Sequence, residues 1–334
     1  MTHLDPVPPL ETIAAETQRD FEAARAVISA AETADGSSPV SDQAILAASQ
    51  GHRELLLFRD ASTRGHPSEE AAAVAVGVVG QGEIDLVVLP SERGRGVGSA
   101  ALLTLLEHAG GADAGELLAW AHGENPAAEA LLGRAGFAPV RTLYRMDLEP
   151  ARLPQAADPL AIPTPDGLRL RPFDPRRADD AAAWVAANAA AFATHPEQGR
   201  ITEADFALMR AEPWFDPDDL ILLEETGASP TRLAGSTWIK TVRGPAEGGP
   251  DSVETELYAV GVRPERAGQG LGRLLLQVTL ARMAQHSPDR VSLYVDGENE
   301  RAVELYRRAE FTVGSLSRQW RRPPKSTADA RIDA

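Results

Sequence analysis

Cysteine is absent from the chain, and that one absence removes disulfides, thiolate metal sites and a cysteine nucleophile from consideration. Long apolar runs are missing as well: nothing approaches the roughly 18 uninterrupted apolar residues of a membrane span. The opening stretch, Met1 to Leu10, is acidic and Pro-rich and lacks the basic, apolar character of a secretory signal, so the expected compartment is the cytoplasm. Basic residues are in deficit. Lysine and arginine total 33 against 49 acidic residues, a formal net charge of −16. A long nucleic-acid polyanion meets general repulsion from such a surface and is not an expected partner. A small anionic ligand is still allowed, because backbone amides bind phosphate locally whatever the overall charge. No group of His and carboxylate residues has metal-ligand spacing, and no metal is expected.

What the chain does have is length and repetition. Its 334 residues suffice for two ordinary domains, and 43% hydrophobic with 25% charged residues is the balance of a soluble globular protein. The first half contains Leu86-Val-Val-Leu-Pro90, Arg93-Gly-Arg-Gly-Val-Gly98, Gly123-Glu-Asn125 and Ala135-Gly-Phe137. The second contains Val260-Gly-Val-Arg-Pro264, Ala267-Gly-Gln-Gly-Leu-Gly272, Gly297-Glu-Asn299 and Ala309-Glu-Phe311. The separation from Gly96 to Asn125 equals that from Gly270 to Asn299, and Gly96 to Phe137 equals Gly270 to Phe311. Agreement without an insertion marks an internal duplication.

Each copy reads as strand, glycine turn, helix, strand, helix, strand. Residues 256–262 are short and apolar and stop at Arg263-Pro264, as a buried strand does. Leu271, Leu274, Leu275 and Val278 then recur at helical spacing, 291–295 reads as the next strand, and Ala302, Leu305, Tyr306 and Ala309 as the next helix. The expected fold is α/β, two tandem domains, each a mixed, mostly antiparallel sheet flanked by helices. The expected boundaries are 1–149 and 168–322, joined by an extended Pro-rich linker over 150–167 and followed by a frayed tail over 323–334.

Glycines between a strand and a helix allow unusual dihedrals, and the first turn of a helix offers unpaired N–H groups at its positive end. Gly94, Gly96 and Gly98, and likewise Gly268, Gly270 and Gly272, therefore suit a pyrophosphate, although such a cluster taken alone is as often a tight turn. Neither turn has the spacing of a Rossmann or P-loop motif. Arg93-x-x-Gly96-x-Gly98 resembles the Arg/Gln-x-x-Gly-x-Gly/Ala signature of the GNAT acetyltransferases. The resemblance spans both halves and departs at Ala267, where that family has Arg or Gln. It implies that loop amides bind the pyrophosphate of acetyl-CoA while the preceding strand hydrogen-bonds the pantetheine arm. In the second copy it assigns the cofactor to Val260, Gly261 and Val262, to Ala267, Gly268, Gln269, Gly270, Leu271, Gly272 and Arg273, and to Asn299, Glu300, Arg301, Ala302, Val303 and Glu304. In the first copy it assigns Leu86, Val87 and Val88, then Gly94, Arg95, Gly96, Val97, Gly98 and Ser99.

Within that family, Asn188-Ala-Ala-Ala-Phe-Ala-Thr-His-Pro-Glu-Gln-Gly199 and Glu212-Pro-Trp-Phe-Asp-Pro217 resemble the mycothiol synthases. So do Trp238-Ile-Lys240, Glu256-Leu-Tyr-Ala-Val-Gly-Val262 and Leu293-Tyr-Val295. The resemblance implies acetyl transfer to the cysteinyl amine of desacetylmycothiol by a protein expected to be monomeric. It makes Glu256 the candidate base and Tyr306 the candidate acid, and assigns the acceptor to Asp42, Glu197, Lys240, Glu256 and Tyr294. Without the family, Glu256 reads as a solvated strand carboxylate and Tyr306 as a core tyrosine; Lys240 and Tyr294 read equally as surface residues. His195 is expected to serve a turn rather than as a base. The constant offset between copies sets Gly82 against Glu256 and Leu132 against Tyr306, so the first copy is expected to keep the cofactor loop and lack the chemistry. Other readings are a tandem GNAT acting on another small amine or a protein N-terminus, and a non-catalytic acetyl-CoA sensor.

Overall fold

The computed structural model describes residues 9–36, 38–61, 72–111, 115–155, 157–193, 198–245 and 251–324. Two compact units result, and the chain does not divide between them at one point. The first comprises Met1–Leu143 together with Ser315–Ala334, and the second comprises Tyr144–Gly314. In chain order the elements are β1 (Leu10–Ala14), α1 (Gln18–Asp35), α2 (Asp42–Ser49), β2 (Glu54–Asp60), β3 (Ala73–Gly80), β4 (Glu83–Val88), α3 (Val97–His108), β5 (Leu117–Ala121), α4 (Pro126–Arg134) and β6 (Ala138–Leu148). There follow β7 (Leu168–Pro172), α5 (Ala178–Ala191), α6 (Glu203–Met209), β8 (Leu220–Glu225), β9 (Leu233–Pro245), β10 (Asp251–Val262), α7 (Leu271–Gln285), β11 (Arg290–Asp296), α8 (Glu300–Arg308) and β12 (Thr312–Arg322).

The first unit's sheet runs β1-β2-β3-β4-β5 and is completed by the returning part of β12, whose Arg318–Arg322 pair antiparallel with Leu117–Ala121 of β5. The second unit's sheet runs from the Tyr144–Leu148 part of β6 through β11-β10-β9-β8-β7. Both sheets are antiparallel except at β4–β5 and β10–β11, where a helix makes the crossover between parallel strands. Strands such as Leu55–Phe58 are buried on both faces, since helices cover each side. In the second unit α5 and α6 pack through Trp184 and Phe206 on the face holding Trp238, while α7 and α8 pack through Leu276, Val303 and Tyr306 on the face holding Ile239 and Leu257.

The expected domain boundaries therefore shift. Residues 144–148 belong to the second unit, where Met146 and Leu148 enter its core, and 315–322 belong to the first, where Trp320 packs among Leu117, Leu132 and Phe137. Nor is 150–167 a free extended linker. Proline at the first position of a 3-10 turn needs no N–H, and Pro150–Arg152 and Pro159–Ala161 form two such turns while Leu153 is buried in the second unit. Of the expected tail, 325–334 lies outside the described residues. Among the described residues no helix is long and apolar enough to cross a membrane.

Candidate active site

The two glycine turns take the conformation that their residue type permits. Gly268 and Gly270 both have φ of +79°, and Gly94 and Gly96 have +75° and +82°. Gly270 is the N-cap of α7 and Gly96 that of α3, and neither cap has a side-chain hydrogen bond to the first helical amides. A Cβ placed on Gly268 or Gly270 would meet nothing within 4 Å. The positive end of a long helix is thus reachable by an anion, with donors already aimed at it.

Beside each turn a strand pair opens. β10 pairs with β11 from Glu254 to Leu257, opposite Arg290 to Leu293, and the ladder goes no further. The register against β9 shifts between Leu257 and Ala259, so Tyr258 is an extra, bulged residue. Arg263 donates its N–H to the Ala234 carbonyl across β9 at 2.9 Å. Peptide groups alternate sides along a strand, so those of Val260 and Val262 point to the opposite edge, into the opening. That edge can hydrogen-bond an extended, amide-bearing ligand as another strand would. In the first unit β4 pairs with β5 only at Glu83 and Ile84. There Arg93 lies across the equivalent edge: its Nε donates to the Val88 carbonyl at 3.2 Å, and its guanidinium grips both Asp35 oxygens at 2.7 and 2.8 Å.

Lys240, Glu256, Ser292 and Tyr294 share one face of the second sheet. Glu256 stands opposite Lys240 on β9 and Ser292 on β11, and Tyr294 lies two residues beyond Ser292. Tyr294 is 50% exposed. The Lys240 ammonium sits over the Trp214 ring, 5.4 Å from its centroid, and Trp214 in turn lies 5.2 Å from the ring of Tyr258. Tyr306 is on the other face, 6% exposed, with its ring edge-on to Phe311 at 6.0 Å. Burial raises its phenol well above the usual tyrosine range, so it stays neutral with its O–H intact throughout physiological pH. A cleft of about 630 Å³, within the size range of small-molecule sites, is lined by Gly297, Glu300, Arg301, Val303 and Glu304 with Tyr144 and Arg307. It includes four of the residues assigned to the cofactor on α8.

Several expectations change on this geometry. The Asn299 side chain accepts the Ala302 N–H at 3.1 Å, and Asn125 accepts that of Ala128 at 3.0 Å. The repeated Gly-Glu-Asn is thus a helix-capping signal, with the Asn299 Oδ1 engaged by the first turn of its own helix. The pairing of Gly82 with Glu256 is also corrected. Gly82 lies in the β3–β4 turn at φ +80°, and it is Glu83 that faces Leu118 as Glu256 faces Ser292. The bulge at Tyr258 adds one residue ahead of the second turn, which spacings counted after the turn do not register. Glu83 receives Arg53 at 3.2 Å, whereas Leu132 does occupy the tyrosine's place, buried at 7%. Asp42 opens α2 in the first unit, its side chain outside the described residues, as are His195 and Glu197. Sequence reasoning missed the seat that Trp214 offers Lys240. A signal existed: lysine occurs only at Lys240 and Lys325 in this arginine-rich chain.

A model of the acetyltransferase (GNAT) family matches residues 48–137 and 184–311. The mycothiol acetyltransferase of Kineococcus radiotolerans is 42% identical over 308 residues, covering 91% of this chain and 93% of that one. That of Thermobispora bispora is 40% identical, over 92% of this chain and 97% of its own. Among solved structures, a GCN5-related N-acetyltransferase from Sphaerobacter thermophilus has a TM-score of 0.65 at 22% identity, covering 95% and 96% of the two chains. A tandem GNAT protein from the clavulanic acid biosynthesis pathway has 0.66 at 18%, covering 96% and 100%. These two bear on the fold alone.

Proposed function

The chain belongs to the mycothiol acetyltransferases of the GNAT family, and we propose that it moves the acetyl group of acetyl-CoA to the cysteinyl amine of desacetylmycothiol in its second unit, in the cytoplasm. The observation that carries the site assignment is the opening between β10 and β11, with a carboxylate on one face and a buried neutral phenol on the other. The α7 turn amides would hold the pyrophosphate, and the Val260 and Val262 peptide groups the pantetheine amides and the thioester oxygen. The acceptor arrives on the face of Lys240, Glu256 and Tyr294. Glu256 takes a proton from its ammonium, directly or through water. The amine then forms the C–N bond as the C–S bond breaks, its nitrogen releasing the second of its ammonium protons to water, while Tyr306 gives a proton to the departing sulfur and regains one from solvent. Reaching the reacting carbon from two faces lets base and acid act without competing for one position.

The first unit has no phenol at that place, and its matching carboxylate is held by Arg53. We assign it no acetylation. The test is to supply acetyl-CoA and desacetylmycothiol, following CoA release and the acetylated product by mass spectrometry. The expected outcome is stoichiometric formation of mycothiol. Efficient acetylation of an unrelated amine with desacetylmycothiol left untouched would overturn the reading.

A further inference from the structure

We propose that Trp214 is a positioning residue for the acceptor, acting through Lys240; this rests on the reading of Lys240 as an acceptor contact. The Glu212-Pro-Trp-Phe-Asp-Pro217 segment precedes β8 and supplies no group to the chemistry above. Its tryptophan is nonetheless the one that lies under the lysine ammonium, at 5.4 Å. The indole is itself fixed on the sheet, tilted against Trp238 at 5.5 Å and Tyr258 at 5.2 Å. An ammonium over an indole face is attracted by the ring quadrupole, and the contact narrows the many rotamers of a four-carbon stem. Residues opposite one another in an antiparallel pair stand side by side, so the seated lysine issues from the position facing Glu256. Lysine fits this seat as a compact charge with three rotatable donors that suit a polyhydroxylated acceptor. Position 240 is lysine in a chain whose basic residues are otherwise almost all arginine, which agrees with a requirement for that shape.

The full-length protein tests this with Trp214→Leu, which keeps an apolar side chain without the π face, and Trp214→Phe, which keeps a π face. Trp214→Leu is expected to raise the acceptor KM about 2- to 30-fold, the range of a cation–π contact, with kcat and the acetyl-CoA KM unchanged and with most of the loss restored in Trp214→Phe. In a Lys240→Met background the same Trp214→Leu change should add nothing further. A second readout does not depend on turnover. With 13C-labelled lysine only Lys240 and Lys325 give signals, and ring current should shift the Lys240 ε-methylene upfield in the parent and in Trp214→Phe but not in Trp214→Leu. An unshifted Lys240 signal in the parent overturns the proposal, as does an equal KM penalty in the Lys240→Met background. If the parent fails to acetylate desacetylmycothiol, the proposed function falls instead, and the lysine signal still reports whether Trp214 seats the ammonium.

Discussion

Glu256 and Tyr306 are separated by a strand's alternation rather than brought into contact, and each is expected to fail separately when changed. Glu256→Gln keeps the shape and removes the proposed base; turnover should drop by about 10²- to 10⁴-fold with acetyl-CoA affinity held in calorimetry. Tyr306→Phe should lower kcat with little effect on either substrate's affinity, since its ring stays packed against Phe311. The same substitution carries a stability signature. The folded phenol titrates above its ordinary value of 10.0 because it is buried. Its contribution is fully present below the unfolded value and is lost as pH rises through the folded one, because the unfolded chain then binds fewer protons. Thermal melts from about pH 9 to 11 should therefore fall less steeply for Tyr306→Phe than for the parent; parallel curves would show that Tyr306 is not the group being held neutral.

At the scale of elements, α7 with its turn is the unit to which the anion is assigned, and α3 is its counterpart. Gly270→Trp should abolish acetyl-CoA binding to the second unit and all turnover, whereas Gly96→Trp should leave substantial turnover. Both glycines sit at positive φ, so an Ala variant at each position measures the strain, about 1–2 kcal/mol, apart from the obstruction. If folded Gly96→Trp proves as inactive as Gly270→Trp, the division of labour between the copies is wrong. These elements were legible because their spacing is gap-free after each turn, and the glycines, Asn caps and apolar periodicity all agree on where the helices start. Ahead of the turn legibility ended. The bulge at Tyr258 leaves no mark in composition, and a one-residue shift reverses which face every earlier side chain takes. That is why Gly82 stood in for Glu83.

Across the whole molecule, the exchange of strand segments makes each unit depend on sequence remote from the rest of it. Residues 318–322 pair with β5, and Trp320 packs among Leu117, Leu132 and Phe137 at 9% exposure. Removing the chain after Gly314 should leave β5 an unpaired edge. In hydrogen exchange, amides at 117–121 should lose protection while those at 254–257 keep theirs. Trp320→Ala should cost the first unit about 3–5 kcal/mol, although the mutation lies at the far end of the chain. Unchanged protection at 117–121 in the truncated protein would remove β12 from that sheet.

The sequence by itself determined the duplication, the two anion-ready turns, the helices that follow them and the family of the chemistry, because each is a local pattern: a φ only glycine adopts readily, a cap, a period of apolar residues. Glu256, Tyr306, Lys240 and Tyr294 could be singled out by likeness to a family but not arranged. Only the tertiary structure decided that three of them share a face while Tyr306 lies on the other, that Trp214 sits beneath Lys240, and that the last strand completes the first unit. Strand register, pairing partner and burial arise from contacts between residues far apart in the chain, and no local window contains them.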